Sequence, residues 1–313
     1  MNIYKCLSLL LTLCLLRSTT FYAQATFGTI TGIVVDGSGA VVPNASIKIT
    51  SLETGITREV FTNATGNYEA THLNPGRYTV SMQSAGFKKF EHGEVLLEAL
   101  RTLRINIALE VGNMEAEVTV SAGTPIIETE ASTISDIKNV RQLRDLPLNI
   151  LNGVVLNSFL FSTPTGYQSA GSKFSFGGAR GTQLHYNIDG ISANSPAFGV
   201  QNSPAEPTLE SIQEMRFDIV NNRAEFGEVT NVTAITKSGG NDLHGTVFWL
   251  NGINQYNATP FFATQKGKNI NNDLGFTLGG PIIKNKTFYF GSYEAFRQRI
   301  PANLAPNLPT VNM

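Results

Sequence analysis

Cysteine is almost missing from this chain: of 313 residues only Cys6 and Cys14 are cysteines. Both lie within the first 25 residues, so a chain that loses that stretch can hold neither a disulfide nor a thiolate metal site. Charge is scarce too, with 15% Asp, Glu, Lys and Arg against ~25% in ordinary soluble domains. No apolar run reaches the roughly 20 residues that a membrane helix needs. Any crossing of a bilayer must therefore be made by strands. The four histidines, His72, His92, His185 and His244, fall in no metal-ligand spacing, and neither a G-x-S-x-G elbow nor a G-x-x-x-x-G-K-[ST] loop occurs. The near-balanced charge of −1 includes no basic stripe, which leaves nucleic-acid binding without support. No enzyme activity and no cofactor is expected.

What is present begins with an export signal. Lys5 precedes an apolar run from Leu7 to Leu16, and Ala23-Gln24-Ala25 supplies a small-x-small cleavage pattern, so residues 1–25 are expected to be a secretory signal peptide. A lipoprotein reading would acylate Cys14, but Leu13 is too large for the preceding position. Removing residues 1–25 takes away Lys5 and Arg17 and leaves 21 basic and 24 acidic residues.

Residues 26–111 alternate short β-rich runs with turn chemistry, the rhythm of a small sandwich. Expected strands are Ile30 to Asp36, Ser46 to Thr50, Thr57 to Phe61, a run around Tyr68, Arg77 to Met82 and a last strand from Arg104 to Leu109. Gly37-Ser38-Gly39, Thr65-Gly66-Asn67 and Asn74-Pro75-Gly76 supply the turns. Tyr78, Val80 and Met82 share one face, as do Ile105, Ile107 and Leu109. The set Val35-Asp36-Gly37-Ser38-Gly39-Ala40, Val42-Pro43-Asn44-Ala45, Thr65-Gly66-Asn67-Tyr68, Leu73-Asn74-Pro75-Gly76-Arg77-Tyr78 and Ala85-Gly86-Phe87 resembles the carboxypeptidase regulatory-like domain. That resemblance implies a seven-stranded transthyretin/Ig-like β-sandwich with a carbohydrate-binding-like fold. It carries no zinc site with it. Sugar binding enters by analogy only, beside the plainer reading of a periplasmic spacer.

Residues 112–242 are mixed. Met114 to Ala122 is short and β-prone. Ile134, Ile137, Val140, Leu143 and Leu146 recur at helical spacing and predict a helix that Pro147 ends. Gly177-Gly178-Ala179-Arg180-Gly181 could be mistaken for a phosphate cradle, but no helix follows it, and a tight turn is the better reading. Asn187-Ile188-Asp189-Gly190 is a turn between β-prone flanks, and Glu210 to Phe217 reads as a helix-to-strand step.

From Leu243 onward, aromatic and aliphatic residues alternate with Gly, Thr and Asn. Leu243, Gly245, Val247 and Trp249 would share one face, and His244, Thr246, Phe248 and Leu250 the other. Asn272 to Leu278 and Thr287 to Tyr293 follow, the latter after a short basic turn from Pro281 to Lys286.

The order of regulatory-like sandwich, Arg180-Gly181 to Asp189-Gly190 spacing and Gly280-Pro281-Ile282 resembles the Oar-like branch of TonB-dependent outer-membrane receptors. The resemblance implies a mainly β protein: the sandwich, an α+β plug domain over 112–242, and the first strands of a transmembrane β-barrel over 243–313. Arg180, Gly181, Asn187, Asp189 and Gly190 would be structural plug residues. Outer-membrane lipid and the energy-coupling protein TonB would be partners, and Glu117, Val118, Thr119, Val120, Ser121 and Ala122 would receive TonB by strand addition; an ordinary linker strand is the other reading of that stretch. Glu228 to Thr233 departs from the pattern, because relatives usually have a glycine pair there. A receptor barrel has about 22 strands, and three are readable here, so the chain is expected to be part of a longer receptor. The rival reading is a periplasmic or surface carbohydrate-binding module without transport. The ligand class, whether iron chelate, vitamin, glycan or peptide, is open in the sequence.

Overall fold

The computed structural model describes residues 26–112, 117–120, 130, 132–145, 159, 162–163, 166–169, 173–175, 177–179, 183–194, 207–222, 224–256, 258–259 and 270–299. The expected signal peptide, Arg180, Gly181, Ser121 and Ala122 lie outside the described residues.

The N-terminal unit is a two-sheet sandwich. One sheet joins β1 (Gly28–Asp36) antiparallel to β4 (Asn67–Leu73) and parallel to β7 (Thr102–Arg104) and β8 (Ile107–Leu109). The other has the order β3 (Thr57–Phe61), β2 (Ser46–Ser51), β5 (Gly76–Met82), β6 (Lys89–Leu97), β9 (Glu117–Val120). Alternation decides the core: Ile47, Ile49, Val80, Met82, Phe90 and Leu97 from one sheet meet Ile30, Val34, Tyr68, Leu103 and Ile107 from the other. Burying an aliphatic or aromatic side chain of this size contributes roughly 1.5–3 kcal/mol. The turn after β1 forms because the Asp36 carboxylate accepts the Ser38 and Ala40 amides at 2.8 and 3.0 Å, with Gly39 at φ 85°.

Two expectations are corrected here. The run from Arg104 to Leu109 is not one strand. Asn106 turns its side chain back so that Oδ1 accepts the Ile33 amide, while the Ile105 carbonyl accepts the Tyr68 hydroxyl at 2.8 Å. Backbone pairing with β1 is interrupted at that point, although Ile105, Ile107 and Leu109 all remain buried. Gly32 lies against the same carbonyl, since a Cβ there would sit 1.9 Å from the Ile105 oxygen. In addition, Lys89–Leu97 is a full strand that the sequence reading did not mark.

The middle unit is a five-stranded sheet in the order β10 (Ile134–Asn139), β15 (Ile212–Val220), β16 (Thr230–Thr236), β13 (Leu184–Ile188), β14 (Ile191–Ser192). A separate hairpin pairs β11 (Tyr167–Ser169) with β12 (Lys173–Ser175). The helix expected from Ile134 is corrected to a strand followed by a short helix, α1 (Val140–Asp145). Asn139 causes the switch: its Oδ1 accepts the Gln142 amide, and the Gln142 side chain accepts the Asn139 amide, each at 3.0 Å. That reciprocal pair is a helix-start capping box, so the apolar spacing continues while the backbone changes. Leu143 enters the core with Met215, Phe217, Val232 and Ala234.

The last unit is an antiparallel sheet of β17 (His244–Ile253), β18 (Ile270–Ile283) and β19 (Thr287–Arg299). Register sets Val247 opposite Phe276, Trp249 opposite Leu274, and Phe276 opposite Tyr293. Paired residues share a face, so these form one apolar face that is exposed, Val247 at 87% and Trp249 at 70%. Asn271, Asp273 and Thr277 lie on the opposite face and are buried. The basic turn is shorter than expected, because Pro281 to Ile283 continue β18 and only residues 284–286 turn. Among the described residues no helix is long and apolar enough to cross a membrane, a statement that leaves strands untouched.

Candidate functional site

The middle sheet carries the features that distinguish this chain from a simple sandwich. Along β15, Met215, Phe217 and Ile219 point into the core, while Glu214, Arg216 and Asp218 occupy the other face and are just as buried, at 5%, 3% and 2% exposure. Buried charges persist only when paired. Arg216 Nε donates to Asp218 Oδ1 at 2.7 Å, and Asp218 Oδ2 accepts from Asn231 Nδ2 at 3.2 Å. Asn187 Nδ2 on β13 donates to Asn231 Oδ1 and Thr233 Oγ1, both at 3.1 Å. One hydrogen-bonded network thus crosses three strands.

Its far end grips the sandwich. Glu214 Oε1 accepts the Ala99 amide at 2.6 Å, and an Arg216 guanidinium nitrogen donates to the Ala99 carbonyl at 3.1 Å. Both polar groups of one residue in the turn between β6 and β7 are therefore held by neighbouring side chains of β15. Burial pushes the Glu214 carboxyl up to about 7, with Glu98 adding to the rise and the Ala99 amide, Arg216 and Arg101 opposing it. Further contacts tie the units together. Asn241 N donates to the Glu53 carbonyl at 2.8 Å, and Asn241 and Asn285 exchange two hydrogen bonds at 2.7 and 2.8 Å.

Of the expected plug residues, Asn187, Asp189 and Gly190 come together. Asp189 (φ 50°) and Gly190 (φ 82°) are the two central residues of the β13–β14 hairpin, whose left-handed pair is the type I′ geometry that Asp-Gly favours. The Asp189 carboxylate also binds Thr236 at the end of β16, accepting its amide at 2.9 Å and its hydroxyl at 2.7 Å. The turn is thereby fastened to the strand that leads toward β17. Asn231, inside the stretch that departs from the family pattern, is fully buried with Thr230 and Thr233; close packing is kept there with polar side chains in the network. Of the expected partner segment, Glu117–Val120 form β9, pairing parallel with the start of β6 from Lys89 opposite Glu117 to His92 opposite Val120. Sequence reasoning missed Glu214, Arg216, Asp218 and Ala99. The alternating charges of β15 were readable, but their burial was not. Among the described residues no three His, Cys, Asp or Glu side chains gather to hold a metal ion.

Residues 29–110 match the carboxypeptidase regulatory-like domain family, and residues 235–313 match the outer membrane beta barrel domain family. With the sandwich and the one-sided apolar sheet, these matches give a mainly β chain that has a carboxypeptidase regulatory-like domain near its start and a C-terminal stretch similar to the outer membrane beta barrel domain. More particularly, the chain is homologous to the TonB-dependent transporter Oar of Myxococcus xanthus, 29% identical over 296 residues that cover 89% of this chain and 27% of that protein. The chain thus spans about a quarter of that relative's length. Among solved structures, the siderophore receptor PirA from Acinetobacter baumannii aligns over 51% of this chain and 24% of its own, with 19% identity and a TM-score of 0.38. A streptococcal ancillary pilin aligns over 28% of this chain and 33% of its own, with 15% identity and a TM-score of 0.23.

Proposed function

We propose that the chain acts in a TonB-dependent outer-membrane receptor that takes up a ligand by an energised mechanism. The observation that carries this reading is the pairing of two unlike sheets. The β17–β19 sheet exposes Val247, Trp249, Leu274, Phe276 and Tyr293 on one face and buries Asn271, Asp273 and Thr277 on the other. An apolar outside and a polar inside is what a barrel wall in lipid requires. The middle sheet, with polar side chains buried in a network, suits a plug that fills a polar lumen. On this reading 112–242 is the plug, outer-membrane lipid meets the exposed face, and Glu117 to Ala122 receives TonB.

A pull on that segment would rearrange the plug and open a path for ligand. Deleting residues 117–122 from the full-length protein tests the assignment. Energised uptake should be abolished with ligand binding retained, and the protein should fractionate with the outer membrane. Unchanged uptake in the deletion, or release as a soluble periplasmic protein, would overturn the reading.

A further inference from the structure

The short turn of the β17–β19 sheet is clamped to the sandwich. Residues 284–286 join β18 to β19, while the connection from β17 to β18 spans residues 254–269, and barrels put their short turns on the periplasmic side. Asn285 in that turn and Asn241 just before β17 bond to each other, and the Asn241 amide donates to the Glu53 carbonyl in the turn between β2 and β3. The approach is close: a Cβ on Gly240 would lie 2.9 Å from the Glu53 carbonyl oxygen, and one on Gly55 would lie 2.5 Å from Asn285 Oδ1. Glu53 is itself fixed by Arg77, whose backbone amide and Nε both donate to its carboxylate. The sandwich turn is therefore held against the rim of the sheet.

Beside the clamp lies a cleft of about 820 Å³ whose walls come from both units. Leu52 and Ile56 line it from the sandwich turn, 45% and 49% exposed, and Tyr289 lines it from β19. Tyr289 pairs with Gly280, two residues on from Leu278, so it continues the apolar face of the sheet. An aromatic at the end of such a face marks the headgroup level of a bilayer. Charge at that level is positive. Arg58 and Lys286 line the cleft, and neither side chain pairs with a carboxylate among the described residues. The acids of the lining are Glu53, which Arg77 holds, and Asp242.

We infer that this cleft binds an anionic phospholipid of the periplasmic leaflet, with Arg58 and Lys286 holding the phosphate and Leu52, Ile56 and Tyr289 covering the start of the acyl chains. The occupant is a lipid because the cleft is continuous, through Tyr289, with the face that lipid covers. A small soluble anion would use the two cations and leave the apolar residues wet. The sandwich thus makes a membrane contact of its own instead of serving only as a spacer. The inference rests on the reading of the β17–β19 sheet as a membrane wall.

Lipid quenching tests it in the full-length protein, with other cysteines replaced and a fluorescent label at Ile56→Cys. The protein is reconstituted in vesicles of phosphatidylglycerol and phosphatidylcholine in equal parts, with bromine carried on the upper acyl carbons of one lipid or of the other. With Arg58 and Lys286 in place, phosphatidylglycerol should be preferred beside the label by roughly fivefold or more. Arg58→Gln combined with Lys286→Gln should cut that preference to about twofold or less. Equal quenching by the two lipids, or a preference that survives the double substitution, would overturn the inference. Loss of quenching on adding inorganic phosphate would overturn it too, because the site would then be one for a soluble anion. A second label, at Val247→Cys, separates this failure from that of the wall: both lipids should quench it alike, in the double variant as well. Quenching at 247 with none at 56 rejects the lipid site alone, and quenching at neither position rejects the wall and the site together.

Discussion

Glu214 on β15 accepts the backbone amide of Ala99, 115 residues earlier in the chain, at 2.6 Å. The carboxyl is buried and held at about 7, above an ordinary value of 4.5. Below pH ~4.5 folded and unfolded chains both carry the proton, and the raised value costs nothing. Between pH ~4.5 and ~7 the unfolded chain ionises first, so folding stability falls as pH rises through that window and levels off above it. The full drop is on the order of 3 kcal/mol. Glu214→Gln should flatten this part of the pH profile in urea denaturation; an unchanged slope would show that Glu214 is not its source.

The partner of that contact, Arg216, depends on Asp218. Asp218→Ala would leave a guanidinium with 3% side-chain exposure without its carboxylate, a loss of roughly 3–5 kcal/mol. Asp218→Asn keeps an acceptor and should lose less. Denaturation midpoints of the two variants check the order, and equal losses below ~1 kcal/mol would mean the network does not hold the sheet.

Two sandwich glycines separate close approach from mere loop position. A Cβ on Gly32 would meet the Ile105 carbonyl at 1.9 Å, whereas at Gly37 the nearest atom is the Leu109 carbonyl at 3.8 Å. Gly32→Ala should therefore destabilise by ~2 kcal/mol or more as the β1 and β7–β8 backbones are forced apart, and Gly37→Ala should change stability by less than ~0.5 kcal/mol. Comparable melting temperatures for the two would contradict the packing described.

The reach of the sequence follows from how local each cause is. Strands such as Ser46–Ser51 and Gly76–Met82 were legible because their alternation and their turns are local. β6 was not, because Gly93 interrupts its alternation and the register with β5 shifts between Tyr78 and Val80. The three-residue spacing from Ile134 suited a helix, and only pairing with β15 makes its first half a strand. The hairpin of Asp189 and Gly190 was readable from two residues, but the use of the Asp189 carboxylate to fasten Thr236 was not. The charged face of β15 shows the limit most clearly. Its alternation was visible, yet that face became a buried site only through Ala99, a contact that no local pattern encodes.

The central claim is that the β17–β19 sheet faces lipid on one side and a filled interior on the other. Spin labels placed singly at Thr246→Cys and Val247→Cys of the full-length protein in outer-membrane vesicles, with other cysteines replaced, test it most directly. Val247 is exposed on the apolar face, and Thr246, whose amide donates to Thr277 Oγ1 at 3.2 Å, belongs to the other. The label at 247 should collide readily with oxygen and poorly with a water-soluble nickel chelate, while the label at 246 should be shielded from lipid-borne oxygen. If both labels respond alike, or if 247 is the more accessible to the chelate, the sheet is not a membrane wall.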